Sequence, residues 1–126
     1  MSSDTRPKYL NLFKIKLPIA GIISIFHRAT GLLLFIAIPV SLYLLQLSVE
    51  DVHSFTTVTD LMLSPITRFF ILLVLWSFVH HLITGIRFLL IDLEFFLDKK
   101  ASRSSAWGVV VVEAIIMAII IKGLFL

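Results

Sequence analysis

Two short stretches of this 126-residue sequence combine residue types at spacings that could do chemistry. Ser24, His27, Arg28 and Gly31 stand at i, i+3, i+4 and i+7. On a helix that spacing gathers a hydroxyl, an imidazole, a guanidinium and a bare backbone position on one face. Such a face can receive an anionic or carbonyl-bearing ligand. The alternative is an interfacial anchor, with Arg28 snorkelling to lipid phosphates and His27 merely amphipathic. Further on, Ser77, His81, Thr84 and Gly85 stand at i, i+4, i+7 and i+8, a stripe of small residues around one imidazole against which a flat, bulky group can lie. A haem asks for that arrangement, because iron needs a neutral imidazole nitrogen and the macrocycle needs small neighbours to approach the backbone. His80 is turned about 100° from His81 on a straight helix and cannot share that role. The alternative is a helix–helix contact in which Thr84 and Gly85 allow close packing and His81 bonds across to a neighbour.

Both stretches need long apolar helices to carry them. The chain is 59% hydrophobic and 15% charged, too apolar for so short a soluble domain to bury in one core. Between Arg28 and Glu50 lie 21 residues without a formal charge, and between Arg68 and Arg87 lie 18. A third run, Ser104 to Leu126, is interrupted by Glu113 and Lys122. A helix rises about 1.5 Å per residue and the hydrocarbon layer is about 30 Å thick, so each run is long enough to span. The runs are continuously apolar instead of alternating, which excludes a barrel. The fold class is therefore an all-α membrane protein with three transmembrane helices, in a single domain over 1–126: a basic arm at 1–21, then spans at about 22–47, 66–97 and 104–126. No cysteine is present, so thiolate-bound iron–sulfur clusters and thiolate zinc sites are excluded.

Charge sets the orientation. Arg6, Lys8, Lys14, Lys16 and Arg28 precede or open the first span, and Arg87, Lys99, Lys100 and Arg103 flank the second connection. The first connection and the C-terminus hold only Arg68 and Lys122, alongside the acidic Glu50, Asp51 and Asp60. The positive-inside rule puts the N-terminus inside and the C-terminus outside. The first span lies too far in, behind too long a polar leader, for a secretory signal, and the absence of an Arg-rich, acid-poor transit peptide points to a bacterial inner membrane. Pro39 predicts a kink in the first span, Pro65 opens the second, and the connection from about Ser48 to Thr67 is long enough for a short interfacial helix.

Depth joins the two stretches. His81 lies 12 residues beyond Phe69, about 18 Å from the outer end of its span and about 9 Å from Arg87 at the inner end. A haem ligated there reaches the inner surface with its propionates, where His27 and Arg28 offer charge-assisted hydrogen bonds.

SIFHRATG at Ser24 to Gly31, followed in the next span by HxxxGIR at His81 to Arg87 and then by Asp92, resembles the cytochrome b membrane-anchor subunits of succinate dehydrogenases. The resemblance covers nearly the whole chain, including the RPKYLNL lead. It implies a complex of four different subunits, in which a flavoprotein carrying FAD oxidises succinate and an iron–sulfur subunit passes electrons to a membrane anchor. It implies that this chain and a second small anchor subunit share one b-type haem and form a ubiquinone-reduction site. On that resemblance His81 is the axial ligand of the haem iron, and His27 and Arg28 reach the propionates. Ser24 and Arg28 line the ubiquinone pocket, with Ile25 as an apolar wall. The chain is then no enzyme on its own. Many family members have a second histidine after the GIR motif; here the residue is Phe88. Glu113 has no counterpart in the family pattern and reads as a carboxyl kept neutral or paired with the partner subunit, and His53 as a solvated loop residue.

The competing class is a small proton-translocating or transporter subunit using Glu113 with His80 or His81 as a relay. Three spans enclose little pathway, and the basic inner face would have no task in it. The orientation is tested by fusing a reporter that matures only outside the inner membrane. It should be active at the C-terminus and inactive after Lys100, and the reverse pattern would overturn the assignment.

Overall fold

The structure, a computed structural model, describes residues 16–125. The RPKYLNL lead and most of the basic arm, with Arg6, Lys8 and Lys14, lie outside the described residues. Four helices follow in order: α1 (Ile19–Ser48), α2 (Val52–Leu63), α3 (Pro65–Asp92) and α4 (Lys99–Phe125). No strand occurs among the described residues. The three long helices are each apolar enough to cross a membrane. With 30 residues, α1 measures about 45 Å, longer than the roughly 30 Å hydrocarbon layer, so it tilts or projects from it. It runs helical through Pro39.

Local chemistry sets the ends of the helices. Pro18, in an extended conformation, precedes α1 and its carbonyl accepts from the Gly21 and Ile22 N–H groups. The short helix α2 begins where Asp51 accepts from the Ser54 N–H at 2.7 Å. That hydrogen bond holds the exposed Asp51 carboxyl below its ordinary range. The cap is complete above the ordinary carboxylate range and is lost as pH falls through the lowered value. Ser64 caps α3, accepting from the Thr67 N–H at 3.2 Å, with Pro65 in the first turn where no N–H is needed.

The second long helix stops at Asp92, earlier than the sequence-based bound of 97. A Schellman motif ends it: the Phe95 N–H donates to the Leu90 carbonyl and the Glu94 N–H to that of Ile91, with Glu94 left-handed at φ 66°. Asp98 then starts α4 by accepting from the backbone N–H groups of Lys100 and Ala101, both at 2.9 Å.

In the bundle, α3 packs against both α1 and α4, α1 touches α4, and α2 lies against α1 and α3. A small apolar core of Ile23, Ala106 and Val109, with Ile83 packed against it, sits where the three long helices meet. Apart from Val79, the other buried side chains are polar: Thr30, Ser77, His80, Thr84 and Arg87 lie inside, while large apolar side chains such as Phe35, Tyr43, Phe69 and Ile119 point outward. That inversion suits hydrocarbon, where apolar groups need no shelter and polar groups must find partners inside the protein.

Arg87, counted with the inner connection in the charge tally, instead lies inside α3 and is 5% exposed. Its guanidinium crosses to the start of α4. Nε donates to the Ser105 hydroxyl at 3.0 Å, and an Nη donates to the Ser102 carbonyl at 3.1 Å and the Ser102 hydroxyl at 3.2 Å. This fork fixes α3 and α4 in antiparallel register at the end of the bundle where the two helices are joined. Lys99, Lys100 and Arg103, at the start of α4, are all exposed.

Candidate functional site

His81 projects from α3 toward α1, and its Nδ1 lies 3.1 Å from the His27 carbonyl oxygen. A carbonyl can only accept, so Nδ1 carries the proton, and a neutral ring then presents its lone pair at Nε2. The His27 ring stacks on that of His81, centroids 4.0 Å apart and planes within 11°. Phe88, two turns further along α3, meets His27 edge-on at 5.1 Å. An apolar ring therefore closes this side of His27.

Glycines make the approach possible. A Cβ on Gly31 would lie 3.0 Å from His81 Cε1, tighter than ordinary contact, and one on Gly85 would lie 3.6 Å from His27 Nε2. Their bare backbones let α1 and α3 close around two imidazoles. Among the described residues, His27 Nε2 is a buried side-chain nitrogen without a hydrogen-bond partner. Leaving a polar group so is costly, and an added acceptor or donor there would relieve it.

The stripe read around His81 divides between two neighbours. Gly85 joins the His27–His81 cluster. Ser77, fully buried, spends its hydroxyl on its own helix at the Leu73 carbonyl, 2.8 Å away. Thr84 turns to His80, with Oγ1 3.5 Å from Nε2. The first stretch divides as well. His27 and Gly31 face α3, Ser24 is half-buried, and Ile25 and Arg28 are exposed on the outer flank of α1. The Arg28 Nε–H folds back to the Ser24 carbonyl at 3.4 Å. Ser24, Ile25 and Arg28 thus form one outward patch beside the imidazole pair. Asp92 is exposed at the end of α3, and His53 on α2 is likewise exposed.

One polar contact was not anticipated. His80 Nδ1 donates to Glu113 Oε2 at 2.9 Å, with the side chains 4% and 12% exposed. Glu113 therefore pairs within this chain, where the sequence suggested a neutral carboxyl or one paired with a partner subunit. Phe26 and Trp76 enclose the His80 ring, at centroid distances of 6.1 and 5.6 Å. The signal for the pairing lay in register: from the contact of Arg87 with Ser105, seven residues back along α3 and eight forward along α4 lead to His80 and Glu113.

These residues fit a haem. Among the described residues no cluster of three or more His, Cys, Asp or Glu side chains could hold a bare metal ion. A macrocycle supplies its own equatorial nitrogens and asks this chain for one oriented imidazole, a glycine-lined approach and hydrogen-bonding groups near its acidic edge. His81 Nε2, Gly31 with Gly85, and the unpartnered His27 Nε2 match those needs. The Nδ1–carbonyl bond that orients His81 is the kind of second contact that fixes metal-binding imidazoles.

Comparison with known proteins gives the chain a family. The family model described as the succinate dehydrogenase/fumarate reductase transmembrane subunit matches residues 2–120. The succinate dehydrogenase cytochrome b556 subunit of Coxiella burnetii is 34% identical over 122 residues, covering 96% of each chain. That of Rickettsia felis is 32% identical over 108 residues, covering 86% of this chain and 84% of the relative. A three-span bundle with an oriented intramembrane imidazole, matched along nearly its whole length, belongs to the succinate dehydrogenase/fumarate reductase transmembrane subunit family.

Proposed function

We propose that this chain is a cytochrome b anchor subunit of a succinate:ubiquinone oxidoreductase in a bacterial inner membrane, with its N-terminus inside and its C-terminus outside. It binds one side of a b-type haem and forms one wall of the ubiquinone-reduction site. The observation that carries this reading is the His81 Nδ1 contact with the His27 carbonyl, which leaves Nε2 outside that bond while the Cε1–Nδ1 edge of the ring lies against Gly31. His81 would hold the haem iron from this chain, with a histidine of a second small anchor subunit as the other ligand. When bound, the haem would supply a one-electron store. His27 and Arg28 hold its propionates, His27 through the Nε2 that lacks a partner. Phe88 dries the edge of His27 and leaves that side to one imidazole.

The outward patch takes the quinone. Reduction adds two electrons and two protons, so the headgroup must sit near both a donor and water while its tail stays in lipid. The inner end of α1 meets both conditions. The Ser24 hydroxyl donates to a quinone carbonyl, Arg28 places positive charge where negative charge develops, and Ile25 packs on the ring. Because Arg28 and Ile25 are exposed in this chain, partner subunits complete the pocket. FAD and the iron–sulfur clusters reside in the flavoprotein and iron–sulfur subunits, so this chain catalyses no dehydrogenation alone.

The alternative, a proton-translocating subunit using Glu113 with His80 or His81, has the His80–Glu113 contact in its favour. Against it, His81 is not joined to that pair, since its Nδ1 is committed to the His27 carbonyl. Beyond the pair, the hydrogen bonding ends at Thr84 among the described residues.

Two measurements on the assembled complex test the proposal. Arg28→Leu should lower succinate-driven ubiquinone reduction by about a hundredfold and Ser24→Ala by about tenfold, as for preorganised donors at developing charge. Electron delivery to a water-soluble acceptor upstream of the anchor should stay unchanged. Normal quinone reduction in both variants would refute the pocket. Gly31→Ala should reduce haem per complex, because its Cβ presses on a His81 ring already held by a hydrogen bond and a stack. Gly108→Ala, whose Cβ meets nothing within 4 Å, should bind haem normally, and equal haem in the two would contradict the placement.

A further inference from the structure

We infer that the His80–Glu113 hydrogen bond sets the rotation of α3 and thereby aims His81, which makes His80 and Glu113 positioning residues for the haem site. The inference rests on the proposal that His81 ligates haem. Consecutive residues of α3 face different neighbours: His80 points to α4, where it meets Glu113 at 2.9 Å, and His81 points to α1, where it meets the His27 carbonyl at 3.1 Å. About 100° of helical turn separates the two. Whatever fixes the azimuth of His80 therefore fixes that of His81.

The neighbouring contacts leave this task to the pair. The Arg87 fork to Ser102 and Ser105 fixes the axial register of α3 on α4, but it lies about 10 Å further along the helix. On the α1 side, His81 meets the Gly31 backbone, the flat face of the His27 ring and, through Nδ1, the His27 carbonyl, so these contacts hold the ring itself, and the α4 contact holds the helix that carries it. At the level of His80, the carboxylate contact is the directional one, and Phe26 and Trp76 hold the imidazole from the sides. No bulk water competes for that bond within the hydrocarbon layer. An imidazole tip lies about 6 Å from its helix axis, so a rotation of α3 by about 15° moves it by about 1.6 Å. Metal–ligand distances tolerate only about 0.2 Å. A helix free to rock by that amount would have to distort the ligand or lose it.

The test uses the assembled complex, with haem read per complex by electron paramagnetic resonance and by redox titration. In a bis-imidazole haem the highest g-value reports the angle between the two ligand rings, which a purely structural role far from the iron would not move. The double variant His80→Leu/Glu113→Leu removes both polar partners together, so neither is left stranded, and assembly is retained. It should shift the highest g-value and the midpoint potential, or lose the low-spin signal. Glu113→Gln, which keeps an oxygen acceptor for His80, should restore the wild-type g-value. Glu113→Ala gives the same readout as the double variant should that one assemble poorly. Wild-type g-value and potential in the Leu/Leu or Ala variant would overturn the inference. So would a Glu113→Gln complex as altered as the double variant, since charge and not aim would then be at work. A wild-type complex with no low-spin b signal would instead overturn the haem assignment itself, and the inference with it.

Discussion

A polar side chain in hydrocarbon has no partner except another part of the protein, and α3 carries most of the polar side chains in this bundle. Ser77, His80, Thr84 and Arg87 are buried there, and each is matched to a hydroxyl, a carboxylate, a carbonyl or an imidazole on its own helix or on α4. Polar contacts between membrane helices contribute only about 0.6 to 2 kcal/mol apiece, yet they are directional where apolar packing against lipid-like neighbours is not. The orientation of α3 follows from them, and the place of His81 follows from α3.

The result is a helix with two working sides. One side locks onto α4 through Arg87 and His80, two turns apart. The other presents His81, Gly85 and Phe88 to His27 and Gly31 on α1. Between them the apolar core around Ile23 is small, so little else holds the three long helices in relation to one another. Much of the outer surface of α1, including Ile25, Arg28 and Phe35, is left uncovered by this chain. Membership of a family of transmembrane subunits accounts for exposed apolar side chains, since lipid can cover them; on the proposed function, neighbouring subunits cover the Ser24–Arg28 patch.

The three long helices were legible in the sequence because span length and charge distribution are one-dimensional properties. That His27 and His81 lie at similar depth was legible for a related reason, since depth along two antiparallel spans can be counted from their charged ends; the direct stacking of their rings was not. Azimuth could not be counted in the same way. Ser77 and Thr84 share the helical stripe of His81, yet in the bundle they serve their own helix and His80. Glu113 read as a carboxyl kept neutral or paired with a partner subunit because the sequence does not state the register of α4 on α3, which Arg87 and the two serines set. The end of α3 at Asp92 was missed because its Schellman motif places Glu94, not glycine, at the left-handed position, where a sequence reader looks for glycine.

Orientation of one imidazole by one backbone carbonyl is the centre of this picture, and the optical spectrum of the iron reports on it most directly. A reduced-minus-oxidised spectrum of the complex purified with His81→Ala should show the low-spin b-type bands of the wild type lost or altered, with the flavin and iron–sulfur signals of the partner subunits intact. Low-spin b-type bands of wild-type position and amplitude in that variant would show that the iron takes its ligand elsewhere, and would contradict the assignment.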